Sequence, residues 1–62
     1  MHEELLTMKE ASRVLKISVA DMHTLRRMGM IRCLKLGSYK VRRAELDRFI
    51  RESEGMNIEI KR

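Results

Sequence analysis

Residues 6–29 read LTMKEASRVLKISVADMHTLRRMG, and this stretch decides the fold. A hydroxyl residue stands three positions before an acid at two places within it, Thr7 before Glu10 and Ser18 before Asp21. At that spacing the hydroxyl and the carboxylate can each satisfy a backbone N–H that the first turn of a helix leaves exposed. The pattern therefore predicts two helices, one beginning after each hydroxyl residue.

Apolar residues recur at helical spacing in both segments, so each predicted helix has an inner and an outer face. The inner faces carry Met8, Ala11, Val14 and Leu15 in the first helix and Met22 and Leu25 in the second. The outer face of the first helix carries Lys9, Ser12, Arg13 and Lys16. The outward stripe of the second helix, over residues 18–28, carries Val19, Ala20, His23, Thr24 and Arg27.

The two helices are expected to meet in a corner. Only Lys16 and Ile17 separate them, and so short a connection suits a near-perpendicular helix-turn-helix arrangement better than an antiparallel pair. Gly29 then ends the second helix, because glycine readily adopts the left-handed conformation that closes helices.

After Gly29 the apolar period changes to that of strands. Residues 31–36 and 39–41 alternate around Gly37 and Ser38, which predicts a two-stranded hairpin with a type II′ turn. A third helix follows at about residues 43–52. Its predicted inner residues are Leu46, Phe49 and Ile50, and its predicted outer ion pairs are Asp47 with Arg51 and Arg48 with Glu52.

The positive charge is concentrated in the hairpin segment. The chain carries a net charge of +5, and residues 31–43 hold five basic side chains and no acid, namely Arg32, Lys35, Lys40, Arg42 and Arg43. The last two stand at the start of the third helix, where the helix dipole favours acids. A basic segment directly after an outward-facing helix favours a polyanionic partner.

Composition excludes several classes of protein. The single Cys and two His of the chain cannot assemble a disulfide framework or a four-ligand zinc site, so no metal and no cofactor is expected. No catalytic spacing of carboxylates, Cys or His is present, and we expect no enzyme. The sequence lacks an apolar run near the length of about 18 residues that a membrane span needs, and a signal-peptide pattern. A cytoplasmic protein is expected.

The length of 62 residues allows one domain. We assign residues 1–55 to it, with residues 1–6 as a lead-in in which Leu5 or Leu6 packs near Ala11. Gly55 ends the third helix. Residues 56–62 form a tail that is either frayed or partner-binding, because Ile58 and Ile60 have no obvious place in the core.

In their order and spacing these residues resemble the excisionase-type winged helix-turn-helix domains, which are related to the MerR-type DNA-binding domain. The resemblance covers about four fifths of the chain and rests on Leu6-Thr7, Lys9-Glu10-Ala11, Leu15, Ile17-Ser18, Leu25, Arg27, Gly29, Ile31, Cys33, Lys35-Leu36-Gly37, Tyr39-Lys40-Val41, Arg43, Leu46 and Phe49-Ile50. The chain departs from the family pattern at Lys16, where a turn glycine is common, at Arg32 and Arg42, where proline is frequent, and in a wing about one residue shorter.

The resemblance implies a mainly α fold with a small β-hairpin, in which a two-helix corner, a two-stranded wing and a third packing helix form a winged helix-turn-helix. It also implies that the second helix enters the major groove of DNA and that the wing lies against an adjacent minor groove. Small members of this family are often recombination directionality factors, which bend DNA beside an integrase, or transcriptional regulators.

Charge, pattern and resemblance together define the expected DNA-binding residues. They are Ser18, Val19, Ala20, His23, Thr24 and Arg27 on the second helix, and Arg32, Lys35, Ser38, Lys40, Arg42 and Arg43 in the wing segment. Arg27 is expected to read guanine or bind phosphate, since its guanidinium can donate two hydrogen bonds to a guanine edge. Asp21 is expected to cap the second helix, and Tyr39 to lie in the core with its hydroxyl at the surface.

The function expected is that of a sequence-specific protein on double-stranded DNA, an excisionase or recombination directionality factor associated with the nucleoid. Two alternatives stay open, a small transcriptional regulator and a module that docks on an integrase or repressor. Because a single small module makes few phosphate contacts, copies are expected to bind cooperatively side by side, helped by the tail.

Overall fold

The computed structural model describes residues 4–60. In chain order the elements are β1 (Leu5–Thr7), α1 (Met8–Leu15), α2 (Val19–Arg27), β2 (Leu34–Leu36), β3 (Ser38–Arg42) and α3 (Arg43–Ser53). The helix-turn-helix corner, the wing and the third helix are all present, and the winged helix-turn-helix prediction is confirmed.

Side-chain caps begin the first two helices. At α1 the Thr7 hydroxyl accepts a hydrogen bond from the Glu10 N–H at 3.0 Å, and the Glu10 carboxylate accepts one from the Thr7 N–H at 2.8 Å. At α2 the Ser18 hydroxyl accepts from the Asp21 N–H at 3.0 Å. Both predicted helix starts are confirmed.

The same left-handed closure ends both helices. At the end of α2, Gly29 has φ +77°, and the Met30 N–H donates to the carbonyl of Leu25 at 3.0 Å. At the end of α1, Lys16 has φ +58°, and the Ile17 N–H donates to the carbonyl of Ser12 at 2.9 Å. Lys16 therefore holds a conformation that suits glycine, and it does so inside the turn of the corner.

The sheet has three strands where the sequence predicted two. Its order is β1-β3-β2, with both pairings antiparallel, and Leu6 lies opposite Val41. The lead-in is thus part of the sheet from Leu5 onward. Three residues are too few to show a strand period, and only the tertiary pairing with β3 makes them a strand.

The hairpin turn also differs from the prediction. Leu36 lies opposite Ser38 and Lys35 opposite Tyr39, so Gly37 alone occupies the reversal, with φ +75°. This register excludes a two-residue type II′ turn in which Gly37 and Ser38 are both central, although the predicted positive φ at Gly37 is correct.

One buried cluster joins the three helices with strands β1 and β3. It consists of Leu6, Met8, Ala11, Met22, Leu25, Ile31, Val41 and Leu46. On α3 the prediction is correct for Leu46, which is 0% exposed, whereas Phe49 is only partly buried and Ile50 is 41% exposed. Leu46 is therefore the fully buried residue of α3, and Phe49 packs against the core beside it.

Two hydroxyl residues predicted on outer faces are buried, so those assignments are wrong. Ser12 donates to the carbonyl of Lys9 at 2.7 Å, and Thr24 donates to that of Ala20 at 3.1 Å. Because each hydroxyl is satisfied by its own helix, it can leave water at little cost.

The tail folds back onto the core after a reverse turn. Glu54 (φ −59°, ψ 130°) and Gly55 (φ +81°) are the central residues of a type II turn, closed by the Met56 N–H on the carbonyl of Ser53 at 3.0 Å. Ile58 and Ile60 then pack against the core, beside a small apolar cavity lined by Leu15, Ile17, Leu25 and Phe49. The expectation that these two isoleucines lack a place in the core is wrong, because α3 leaves that side of the corner uncovered.

Within residues 4–60, no helix is long and apolar enough to cross a membrane.

Candidate nucleic-acid interface

The outer face of α2 carries a different set of residues from the predicted stripe. Asp21, Met22, Thr24 and Leu25 are buried, and the face turned away from them carries Val19, Ala20, His23, Arg26 and Arg27. Thr24 thus leaves the stripe and Arg26 joins it. Arg26 lies three residues after His23 and seven after Val19, the spacing of one helical face, and that signal was available in the sequence.

Thr24 supports the stripe from within. Its buried hydroxyl accepts a hydrogen bond from a terminal guanidinium nitrogen of Arg27 at 3.2 Å. Arg27 is exposed, so this contact orients the side chain without covering it. Thr24 can therefore position the Arg27 side chain, while its own side chain is buried.

Tyr39 of β3 links the wing to α2. The Cζ atom of Arg26 lies 4.0 Å from the centre of the Tyr39 ring, and the Lys35 Nζ atom lies 5.0 Å from it. The His23 imidazole meets the same ring edge-on, with the centroids 5.9 Å apart. We call these four residues, His23, Arg26, Lys35 and Tyr39, the Tyr39 cluster.

The electrostatic character of the Tyr39 cluster is positive. Arg26 donates from Nε to the Nδ1 atom of His23 at 3.4 Å, and within residues 4–60 neither Arg26 nor Lys35 has an ion pair with an acid. The same holds for Arg27 in this part of the chain. The outer face of α2 and the adjoining face of the wing therefore form one surface with cations that no described carboxylate neutralises.

The wing residues predicted to bind DNA fall on two faces of the sheet. The register places Lys35 beside Tyr39, on the face that also carries Val41 and Leu6. Strand alternation puts Ser38, Lys40 and Arg42 on the opposite face, together with Leu5, Thr7, Leu34 and Leu36. On that face the Lys40 ammonium donates to the Ser38 hydroxyl. Lys35 lies beside the Tyr39 ring, which Arg26 and His23 of α2 also contact.

The start of α3 lacks a side-chain cap, as the sequence indicates. Arg42 occupies the N-cap position without a capping hydrogen bond, and the Arg43 N–H donates to the carbonyl of Glu4 at 2.9 Å. The Arg43 side chain lies 3.4 Å from the carboxylate of Asp47, and both side chains are about half exposed. Asp47 thus pairs with Arg43 and not with Arg51 as predicted. A phosphate that binds Arg43 would have to compete with the Asp47 carboxylate.

Arg48 of α3 fixes the segment between α2 and the wing. It forms two hydrogen bonds to Glu45, at 3.0 and 2.6 Å, one to the carbonyl of Met30 at 3.0 Å, and the predicted pair with Glu52 at 3.0 Å. Glu45 in turn accepts from the backbone N–H of Arg32 at 2.9 Å. We call this network the Arg48 junction.

The Arg48 junction lowers the pKa of Glu45. The hydrogen bond from Arg48 is the main cause, and the N–H of Arg32 adds to it, while burial opposes both by raising the pKa. Only the Arg32 backbone is held here. Its side chain is exposed and lines a shallow groove with Cys33, Leu34, Arg42 and Glu45.

A family model described as "Helix-turn-helix domain" matches residues 5–54, a range that contains every helix and strand of the structure. Neither a search of proteins with curated functions nor a search of solved structures returned a match. The match covers more than half of the chain and supports DNA binding. The chain therefore belongs to the helix-turn-helix domain family.

Proposed function

We propose that this chain binds double-stranded DNA sequence-specifically, with α2 in the major groove and the wing against the adjacent backbone. The observation that carries the proposal is the continuous surface of α2 and β2, on which Arg26, Arg27 and Lys35 have no acidic partner within residues 4–60. An unneutralised basic face on a helix-turn-helix domain suits a polyanion that offers both phosphates and base edges.

Individual residues of α2 have distinct roles in this proposal. Arg27, oriented by Thr24, reads a guanine edge through its paired N–H groups. Val19 and Ala20 are exposed in the first turn, where the residues of a recognition helix approach the bases, and their methyl groups suit contact with thymine. Ser18, His23, Arg32, Ser38, Lys40, Arg42 and Arg43 supply further contacts, mainly to phosphate and sugar.

The biological role we propose is that of a recombination directionality factor that bends DNA beside an integrase. The resemblance to the excisionase-type domains and the small size of the chain support this role. A single module buries only about 600–1,000 Å² on DNA, which favours several copies bound side by side. Since Ile58 and Ile60 pack against the core, self-association through the tail would have to use its exposed residues, such as Met56, which is 58% exposed.

Binding is best tested on a DNA site that the protein selects from a pool of random duplexes. A site selected from random duplexes would be used to compare wild type with Arg27→Ala and with Arg51→Ala, a matched loss of one exposed arginine on α3. We expect Arg27→Ala to weaken specific binding by about tenfold, since one bidentate guanine contact is worth about 1–3 kcal/mol. Arg51→Ala should bind like wild type, and equal affinities of the two variants would refute the assignment of α2.

The cooperative part of the proposal has its own test. Affinity would be measured on duplexes with one, two and three copies of the selected site, using the full chain. Cooperative binding predicts that affinity per site rises with the number of adjacent sites, and that DNA bending rises with it. Equal, independent affinities at every site would leave a simple DNA-binding protein and exclude side-by-side assembly.

A further inference from the structure

The Tyr39 cluster gathers two cations from separate elements onto one aromatic ring. Arg26 comes from α2 and Lys35 from β2, and their charged groups lie 4.0 and 5.0 Å from the ring centre. Their separation cannot exceed the sum of those distances. Both charges therefore lie beside the same ring, although they are nine positions apart in sequence.

The hydrogen bonds of Arg26 leave its outer edge available. Within residues 4–60 its Nε atom donates to His23, and no hydrogen bond is made by its two terminal nitrogens. The contact of Cζ with the Tyr39 ring and the bond of Nε to His23 hold the planar guanidinium in place from two sides. A planar fork of this kind matches two oxygens of a phosphate.

The arrangement is costly if it serves only to hold the wing in place. A cation on the face of a partly buried tyrosine contributes only a small stabilisation, and two like charges brought together oppose that gain. A wing needs no second cation on the same ring to be held. An anion between Arg26 and Lys35 would remove the repulsion and use both charges.

We propose that Arg26 and Lys35 form a clamp for a backbone phosphate of DNA at the junction of α2 and the wing, with Tyr39 as the residue that positions both. The inference rests on the proposed function and deepens it, since it assigns the sugar-phosphate backbone rather than a base to this cluster. With α2 in the major groove and the wing beside it, the strand that separates the two grooves passes this junction. The contact fixes the register of the protein on DNA without reading sequence.

The salt dependence of binding tests the clamp. Affinity for the selected duplex would be measured against salt for wild type, Arg26→Ala, Lys35→Ala and the double variant. One shared phosphate predicts that the double variant reduces the log–log salt slope by about 0.9, the value for a single phosphate. A reduction of about twice that value would mean two separate phosphates, and an unchanged slope would mean none, and either result would overturn the clamp.

Removing the charge of single DNA phosphates shows which phosphate Arg26 and Lys35 bind. Single methylphosphonate substitutions placed in turn around the site should reveal one position at which wild type loses affinity and the double variant does not. For Tyr39, the variant Tyr39→Phe keeps the ring and should bind like wild type, whereas Tyr39→Leu should weaken binding severalfold while circular dichroism still shows a folded domain. If Tyr39→Leu bound as tightly as Tyr39→Phe, Tyr39 would not be a positioning residue.

Failure of the clamp can be told apart from failure of the proposed function. If wild type binds DNA and Arg27→Ala weakens that binding, but the clamp variants behave like wild type, only the clamp is refuted. If wild type shows no salt-dependent affinity for any duplex, the proposed function itself fails.

Discussion

Two arginines on different helices, Arg48 on α3 and Arg26 on α2, have opposite surroundings. Arg48 meets two carboxylates and a backbone carbonyl in the Arg48 junction, so its charge is neutralised by Glu45 and Glu52. Arg26 meets an aromatic ring, a histidine and a second cation in the Tyr39 cluster. In the Arg48 junction the guanidinium donors have acceptors within the described residues. The Tyr39 cluster has more hydrogen-bond donors than acceptors.

The difference teaches which of the two contacts is structural. Hydrogen bonds that are satisfied on both sides stabilise a fold and need no further partner. A group of cations with no described carboxylate nearby leaves charge that a ligand can use. Under the proposed function, the same residue type therefore serves the fold on α3 and DNA on α2, and the neighbouring residues distinguish the two roles.

The largest loss of stability should come from a change in the core that unfolds the domain and with it both the Arg48 junction and the Tyr39 cluster. Leu46→Ala empties a site that is 0% exposed and carries α3, at a cost of about 2–5 kcal/mol. A chain of 62 residues has only about 3–9 kcal/mol to lose. We expect a largely unfolded protein by circular dichroism at 25 °C, whereas Phe49→Ala, at a partly buried position, should melt early but remain folded. Equal stability of the two variants would contradict the view that Leu46 is the main anchor of α3.

A smaller loss is expected when the Arg48 junction alone is broken. Glu45→Ala removes the acceptor of both Arg48 and the Arg32 N–H, and we expect the free energy of unfolding to fall by about 1–2 kcal/mol. Urea denaturation measures this, and Asp47→Ala, which breaks an exposed pair, serves as the control and should stay close to wild type. The log–log salt slope of DNA binding should be unchanged in Glu45→Ala. A reduced slope would show that the Arg48 junction and the Tyr39 cluster are not independent.

Acid should weaken the Arg48 junction gradually. Because the pKa of Glu45 is lower in the folded chain than its usual value, the folded state binds fewer protons, and the stabilisation is fully present above the usual pKa of about 4.3. It is lost as the pH falls through the folded-state value. Urea denaturation at pH 7, 5, 4 and 3 should therefore show little change between the first two and a decline below about pH 4. Glu45→Gln should flatten that decline in part, since Glu10, whose pKa is lowered by hydrogen bonds with Thr7, also contributes. An equally steep decline in Glu45→Gln would exclude the junction as its source.

The smallest effect is expected outside both junctions. Lys16→Gly replaces a side chain at φ +58° with the residue that adopts this conformation without strain. We expect a gain of about 0.5–1 kcal/mol, which is the relief of left-handed strain less the added entropy of the unfolded chain. A rise of a few degrees in the melting temperature with unchanged DNA affinity would show that the stability of the corner can be changed without changing the interface. A fall in the melting temperature would show that Lys16 is not strained.

Local signals in the sequence were enough for most of the fold. The caps at Thr7 and Ser18, the stop at Gly29 and the apolar spacing of α3 act over one or two turns, so their physics is contained in short stretches. The β1 strand was missed because its three residues gain their structure from β3, which lies more than thirty positions away.

The candidate site was predicted less completely because its organisation is tertiary. The inner face of α2 was judged mainly from Met22 and Leu25, with Asp21 at its flank, and the buried Thr24 shifts its centre. That shift exchanges Thr24 for Arg26. The meeting of Arg26 with Lys35 on Tyr39 depends on how the wing lies against α2, which no spacing in the sequence encodes.

Thr7 is both the last residue of β1 and the cap of α1, and this dual position has a consequence for the order of folding. Its partner in β3 is Lys40, so the strand cannot pair until nearly all of the intervening chain is in place. Closing so long a loop is a late and slow event compared with forming either helix. The first turn of α1 is thereby coupled to the pairing of β1 with β3. In hydrogen exchange, the amide of Glu10, which donates to the Thr7 hydroxyl, should open together with the amides of β3 rather than with the rest of its own helix.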